Sequence, residues 1–320
     1  GNFNWKDSQV YTWGVYRTNP SHGFGGITGK VELEATGKLY VKDVFIKNQP
    51  EPHTIEVEVR AANETGASVT NKELCLEIKE HPNGQTVYRK NVRLESLKEG
   101  ENLQTYQIKV PNAHLWSVDS PRLYDLKISL NDDAVTERFG FRWFEIKDVK
   151  GDRQFFLNDK RIVLRTAISW GFWPYNGITP SDELAKRQIT IAKELGLNML
   201  NFHRNIGQTN ILDYADELGL LYFEEPGGNQ YPIKNFNDND KQSNFYFAYR
   251  NEKLARMVKR DRNHPSLIIY NLHNERGAYP QTQDYDQMRM AHALDPTRIL
   301  TYNSTEKIRR RNTIRVSNCI

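Results

Sequence analysis

The stretch Arg260-Asp261-Arg262-Asn263-His264-Pro265-Ser266-Leu267-Ile268-Ile269-Tyr270-Asn271-Leu272-His273-Asn274-Glu275 decides how this chain folds. It opens as the end of a polar helix, meets Pro265, runs through a mostly apolar segment of strand length, and closes on an Asn-Glu pair. Proline lacks the amide that a helix interior needs, and it pushes the preceding residue toward extended geometry. An apolar run without alternation is the pattern of a strand covered on both faces. Asn274 and Glu275 therefore fall at the carboxyl end of a buried parallel strand, where α/β barrels carry their chemistry.

Outward from that strand the pattern repeats. Upstream, a turn at Asn158-Asp159 leads into a buried strand starting at Ile162-Val163-Leu164. Thr179-Pro180-Ser181-Asp182 is a helix-start signal, with a capping residue, an early proline and early acids. Leu184, Ile191, Ala192 and Leu195 are expected on the buried face of that helix, and Gly196 ends it. Residues 198–203 read as a strand, 211–218 as a helix stopped by Gly219, 220–224 as a strand and 244–260 as mostly helix. Past the central strand, 285–294 is helical and 298–302 is extended. Asp213, Asp216 and Glu217 read as a solvated helix face. Strand and helix alternating at this spacing imply a parallel sheet. A doubly wound sheet is disfavoured because no glycine-rich phosphate loop follows the first strand. Between four and five of a barrel's eight units are present, so residues 149–320 are expected to form the first half of a (β/α)8 TIM barrel.

Residues 44–148 are different in kind. Thr54-Ile55-Glu56-Val57-Glu58-Val59-Arg60 alternates polar and apolar, and Asn63-Glu64-Thr65-Gly66 and Pro82-Asn83-Gly84 supply turns. Roughly seven short strands within about 100 residues point to an immunoglobulin-like β-sandwich, with structural support as its role. Residues 1–43 hold Gly23-Phe24-Gly25-Gly26-Ile27-Thr28-Gly29 and then Lys30-Val31-Glu32-Leu33-Glu34-Ala35, whose period of two predicts a half-buried strand. This is too little chain for a closed β domain and reads as the end of one. The fold class is thus multidomain β plus α/β, a sandwich followed by a truncated barrel.

A formal charge of +4 over 320 residues, without a basic stripe, argues against nucleic acid as a partner. The one cluster, Lys307-Ile308-Arg309-Arg310-Arg311, reads as a solvated face or tail. Cys75 and Cys319 fall in different domains and make neither a disulfide framework nor a metal site. No apolar run approaches the ~20 residues of a membrane span. The chain opens in mid-pattern without a start methionine and reads as a fragment, so compartment stays open, with a periplasmic or secreted location slightly favoured.

Together these residues resemble glycoside hydrolase family 2, the β-galactosidases, β-glucuronidases and β-mannosidases. Gly25-Gly26-Ile27 with Val31-Glu32-Leu33 is similar to the end of that family's N-terminal jelly roll. Phe156-Leu157-Asn158-Asp159-Lys160 through Leu164-Arg165 resembles the approach to its barrel. Asp216-Glu217-Leu218-Gly219-Leu220 with Glu224 resembles its third barrel strand and the helix before it. The segment from Arg260 to Glu275 is close to its acid/base signature. The resemblance implies that Glu275 is the general acid/base and that Asn274 binds the sugar 2-hydroxyl. It also implies a sugar-site role for His203, which ends the second strand with Arg204 on the same face; at the end of the third strand, Glu224 or Glu225 is placed to contact sugar hydroxyls, or Glu225 to pair with an arginine such as Arg204. Trp170, in an aromatic cluster with Phe172, Trp173 and Tyr175, is placed either to stack on a sugar face or to complete a core.

Departures from the family are equally specific. Where it often has Arg-Gly-x-Asn, this chain has Arg165-Thr166-Ala167-Ile168-Ser169-Trp170. A retaining glycosidase needs a second carboxylate about 5–5.5 Å from the acid. The only Glu after Glu275 is Glu306, just past the fifth strand, and it is not assigned that role. The expectation is a retaining, exo-acting β-glycosidase fragment with the acid/base present and the nucleophile missing, inactive alone, acting on a β-linked glycoside or oligosaccharide. No cofactor and no metal ion is expected, and a homo-oligomer stays open for the full-length protein. The alternatives are a non-catalytic carbohydrate-binding or scaffold protein, and a metal-dependent hydrolase using His203, His273 and Glu275.

Overall fold

The computed structural model describes residues 31–169, 180–203, 206–226, 241–274 and 282–303. Its first unit is a sandwich of seven antiparallel strands: β1 Leu39–Asn48, β2 Thr54–Asn63, β3 Val69–His81, β4 Thr86–Leu97, β5 Gly100–Lys109, β6 Leu123–Leu130 and β7 Asp133–Phe139. They form two sheets, ordered β1-β2-β5 and β4-β3-β6-β7. The period of two explains the core. Ile55, Val57, Val59 and Ala61 of β2 face Leu74, Leu76 and Ile78 of β3 and Leu126, Ile128 and Leu130 of β6 in one buried cluster. Tyr124, Phe139 and Phe141 close it with edge-to-face contacts.

Two expectations at the sandwich's amino-terminal side change. β1 begins at Leu39, with Leu39 and Val41 in the core, so the sandwich includes residues that the pattern left with the preceding domain. Residues 31–35 form no strand, with Val31 75% and Leu33 100% exposed. Alternation makes a strand only when another strand takes up its amides, and among the described residues none pairs with this segment. The glycine-rich stretch 23–29 lies outside the described residues.

A small antiparallel sheet, β8 Phe144–Val149, β9 Asp152–Leu157 and β10 Lys160–Ile162, joins the two units. Asn158 and Asp159 make its two-residue turn with φ of 52° and 61°, the left-handed pair that a type I′ hairpin requires. Ile162 therefore ends a hairpin, and the expected barrel strand at 162–164 is corrected. The first parallel strand is β11, Thr166–Ser169. Apolarity at 162–164 misled because Ile162 and Leu164 pack beneath the sheet with Phe144, Leu157 and Trp116, while Val163 is exposed.

From β11 the chain alternates: α1 Asp182–Glu194, β12 Met199–Phe202, α2 Thr209–Leu218, β13 Leu221–Glu224, α3 Lys241–Asp261, β14 Leu267–His273, α4 Thr282–Leu294 and β15 Ile299–Asn303. The five strands pair in parallel and in chain order, which is the arc of a barrel wall. All seven residues of β14 are buried. Ser181 caps α1, its hydroxyl accepting from Leu184 N at 3.3 Å. Gly219 ends α2 in the left-handed region at φ 77°, and a side chain there would stand 2.3 Å from Val118 O. The buried face of α1 is Ala185, Ile189 and Ala192, whereas Ile191 is 41% and Leu195 74% exposed. The sequence reading followed bulk, but small residues let the helix approach the sheet.

The two faces of the arc differ. Leu200, Phe202, Tyr222, Tyr270 and Leu272 pack against the helices. Met199, Leu221 and Ile269, with Phe223 and Ile299, form an apolar floor on the concave face, over Trp116, Leu123, Phe144 and Leu157.

Candidate active site at the carboxyl ends of the strands

The amino-terminal part of the central stretch is bound to the sandwich. Asn263 pairs with the backbone of β1, accepting from Ile46 N at 3.0 Å and donating to Val44 O at 2.9 Å. Arg262 donates to Asp43 at 2.5 Å and lies over the Phe45 ring at 4.2 Å. Arg260 and Asp261 form a two-pronged pair at 2.7 and 2.8 Å. Asp216 of α2 is 1% exposed and accepts from Ser266 N at 2.9 Å, while its other oxygen lies 2.6 Å from His264 Nδ1. This corrects the reading of Asp216 as solvated. Burial alone pushes the His264 imidazole down, but the charge and hydrogen bond of Asp216, backed by Asp261 and Asp213, outweigh it and hold His264 up at about 9. The signature's conspicuous residues are therefore structural.

The carboxyl ends are built differently. Two residues beyond the apolar floor, on the same concave face by alternation, stand Asn201, Glu225, Asn271 and Thr301. Asn271 donates to Glu225 at 3.1 Å and accepts from Thr301 Oγ1 at 2.8 Å. Asn201 is buried, and its Oδ1 has no hydrogen-bond partner among the described residues. His203 follows just after the same strand and is also buried. Asn274 is buried at the end of β14.

Glu224 faces the other way. It is wholly buried on the helix side, where its Oε1 accepts from Gly207 N at 2.7 Å and lies 3.7 Å from Arg260. Burial and the neighbouring Asp261 charge push it well above the usual carboxylate range, against the pull of Arg260. Of the two adjacent acids it is Glu225 that joins the concave polar ring. His273 is likewise engaged with the helices. Its Nε2 lies 2.9 Å from Asp284 of α4, and its Nδ1 lies 2.9 Å from Arg250 of α3. Glu275, Arg204 and Trp170 lie outside the described residues. Among the described residues no group of three His, Cys, Asp or Glu is placed to hold a metal ion, and none of their helices is long and apolar enough to cross a membrane.

The sequence reading missed Asn201, Asn271 and Thr301. A signal for Asn271 existed, since one polar residue inside an apolar run of strand length needs a partner. For Asp216 the spacing with Ile211, Leu212 and Ala215 already put it on the buried side of α2.

An arc of parallel strands with a polar mouth, docked onto an antiparallel sandwich, can be compared with known proteins. The model for glycosyl hydrolases family 2 matches residues 39–142, and that family's TIM barrel domain matches residues 146–319. The chain belongs to glycosyl hydrolases family 2. The β-galactosidase of Thermoanaerobacter pseudethanolicus is 28% identical over 283 residues, covering 86% of this chain and 36% of the relative. That of Thermoanaerobacterium thermosulfurigenes is 29% identical over 289 residues, with 86% and 37% covered. The chain thus spans about a third of the length of the curated relatives it matches. The β-glucuronidase of Parabacteroides merdae superposes with a TM-score of 0.64 at 25% identity, covering 85% of this chain and 34% of that structure. A family 2 member from Bacteroides cellulosilyticus shares the fold with a TM-score of 0.71 at 23% identity, over 85% and 36%.

Proposed function

We propose that this chain carries the acid/base half of a retaining, exo-acting β-glycosidase, with Glu275 as general acid/base and Asn274 as the contact to the sugar 2-hydroxyl. One observation supports this above the others. Asn274 is buried just after β14, and the strand ends of the same sheet carry the buried amides of Asn201 and Asn271, the buried Glu225 carboxylate and the half-buried Thr301 hydroxyl, in a chain whose family hydrolyses glycosides. Acceptors such as Asn201 Oδ1 suit sugar hydroxyls, which must find partners when they leave water. Glu225 is a second candidate acceptor, in place of Glu224. A general acid must stay protonated near neutral pH, which burial and a facing carboxylate achieve. That facing carboxylate, the nucleophile, is not among this chain's residues in this reading, since only Glu306 follows Glu275. Two named relatives are β-galactosidases and one is a β-glucuronidase, so β-galactosides and β-glucuronides are the first substrates to test.

Purified 320-residue chain is expected to bind these glycosides without robust turnover of their nitrophenyl derivatives. Robust turnover overturns the missing-nucleophile reading. Glycoside binding measured by calorimetry should weaken at least about tenfold in Asn274→Ala, from one lost buried hydrogen bond; unchanged binding removes Asn274 from the site. In a polypeptide carrying both carboxylates, Glu275→Gln should slow poor leaving groups far more than dinitrophenyl ones and be rescued by azide. Equal slowing of both would remove the acid role. A carbohydrate-binding or scaffold role is the competing reading, favoured by the lone Glu306, and binding without turnover at every length of the gene product would establish it.

A further inference from the structure

We propose that Arg142 is a positioning residue through which the sandwich sets the register of β14, and with it the height of Asn274 at the barrel mouth. Only the catalytic consequence rests on the glycosidase reading; the register claim stands on the strand itself.

Arg142 follows the last sandwich strand and is 2% exposed. Its guanidinium donates to Pro265 O at 2.9 Å and to Leu267 O at 2.8 Å. Those carbonyls flank Ser266, whose own carbonyl accepts from Tyr222 N of β13 at 2.8 Å. Arg298 takes the two alternate carbonyls just before, Arg262 O at 2.7 Å and His264 O at 2.9 Å. Two buried arginines therefore hold four backbone carbonyls of one short segment. Arg142 is itself fixed to the sandwich, because its amide donates to Asn48 Oδ1 at 3.0 Å, and Asn48 donates back to Gly140 O at 3.0 Å.

A planar fork with fixed donors recognises spacing, not merely charge. Slipping β14 by one residue would remove both carbonyls from the fork, turn every side chain to the opposite face, and shift the strand's end by about 3.3 Å. Displacements of about 1 Å already impair catalytic geometry. Burying a guanidinium is costly, and an apolar side chain of similar length would fill the space at lower cost, so the arginine is held for specificity.

The test is peptide-resolved hydrogen exchange on the whole chain, comparing wild type with Arg142→Lys and Arg142→Met. A space-filling role predicts that Met does at least as well as Lys, because Met is buried more cheaply. A register clamp predicts the order wild type, then Lys, then Met. In Met, exchange in peptides covering 265–274 should rise about tenfold or more while β12 and β2 stay within about twofold. Equal protection of β14 in Met and Lys, or a uniform rise across the molecule, overturns the proposal. Should both variants fail to fold, Asn48→Ala, which loosens only the anchor of Arg142, carries the same expectation at smaller amplitude. A uniform rise there overturns it too. None of these readouts depends on sugar chemistry, so the clamp and the glycosidase reading can fail separately.

Discussion

The two ends of β14 use similar residues to opposite purpose. At its start, buried polar groups are nearly all engaged: both oxygens of Asp216, both ends of the Asn263 amide, and four carbonyls held by Arg142 and Arg298. Ser266 Oγ, Arg262 Nε and Arg298 Nε are the exceptions. At its far end Glu225, Asn271 and Thr301 are joined in a chain on the concave face, and Asn201 Oδ1 has no hydrogen-bond partner among the described residues. A polar cluster that satisfies itself builds structure, whereas one that keeps unspent capacity on a concave face is suited to a ligand.

The comparison breaks most decisively at Asp216. Asp216→Ala strips the buried amide of Ser266 and leaves the half-buried His264 without its nearest counter-charge, so unfolding in urea should show a loss of about 3–5 kcal/mol. Asn201→Ala at the mouth should cost about 1 kcal/mol or less, because its acceptor has nothing to lose. Similar losses for the two would erase the distinction between the ends.

Next in size is a pH effect. The folded pKa of His264, about 9, exceeds its ordinary 6.5. Its stabilising contribution is therefore complete below about 6.5 and disappears as pH rises through 9, a loss on the order of 3 kcal/mol. Thermal unfolding between pH 6 and 10 should record that decline, and Asp216→Asn should flatten it. A stability that is level over this window would contradict the ion pair.

Asn263→Ala removes two backbone pairings between barrel and sandwich and should cost about 1–3 kcal/mol by urea unfolding. A cost near zero would mean that the domains dock without it. The smallest effects separate the neighbouring acids. Glu225→Gln should weaken glycoside binding about tenfold with stability changed by about 1 kcal/mol or less. Glu224→Gln should leave binding unchanged and stability within about 0.5 kcal/mol, since Gln imitates the protonated acid and keeps an acceptor for Gly207 N. Loss of binding in Glu224→Gln alone would reverse their assignment.

Much of this barrel was legible because its signals are local. The runs around β12 and β14, the helix start within 179–182 and the stop at Gly219 need only a few neighbouring residues to be recognised, although the cap proved to be Ser181, one residue past the proline. Readings failed where a distant element decides. The burial of Asp216 depends on Ser266, 50 residues away, and the carbonyls of 265 and 267 meet Arg142 across more than 120 positions. Residues 31–35 failed for the complementary reason, since their alternation is a local pattern without a paired strand. The choice between Glu224 and Glu225 turned on strand parity, and an error of one residue at the start of β13 inverts it.

Gly140 carries a last consequence. A methyl group there would stand 2.7 Å from Trp116 Cβ of its own unit and 3.1 Å from Pro265 Cβ of the barrel, so the joint leaves no room for a side chain between them. A joint that tight is a weld. Chimeras that exchange sandwiches between relatives should assemble only when Gly140, Arg142 and Asn48 travel as one cassette matched to Asn263 and Pro265, however well each half folds alone.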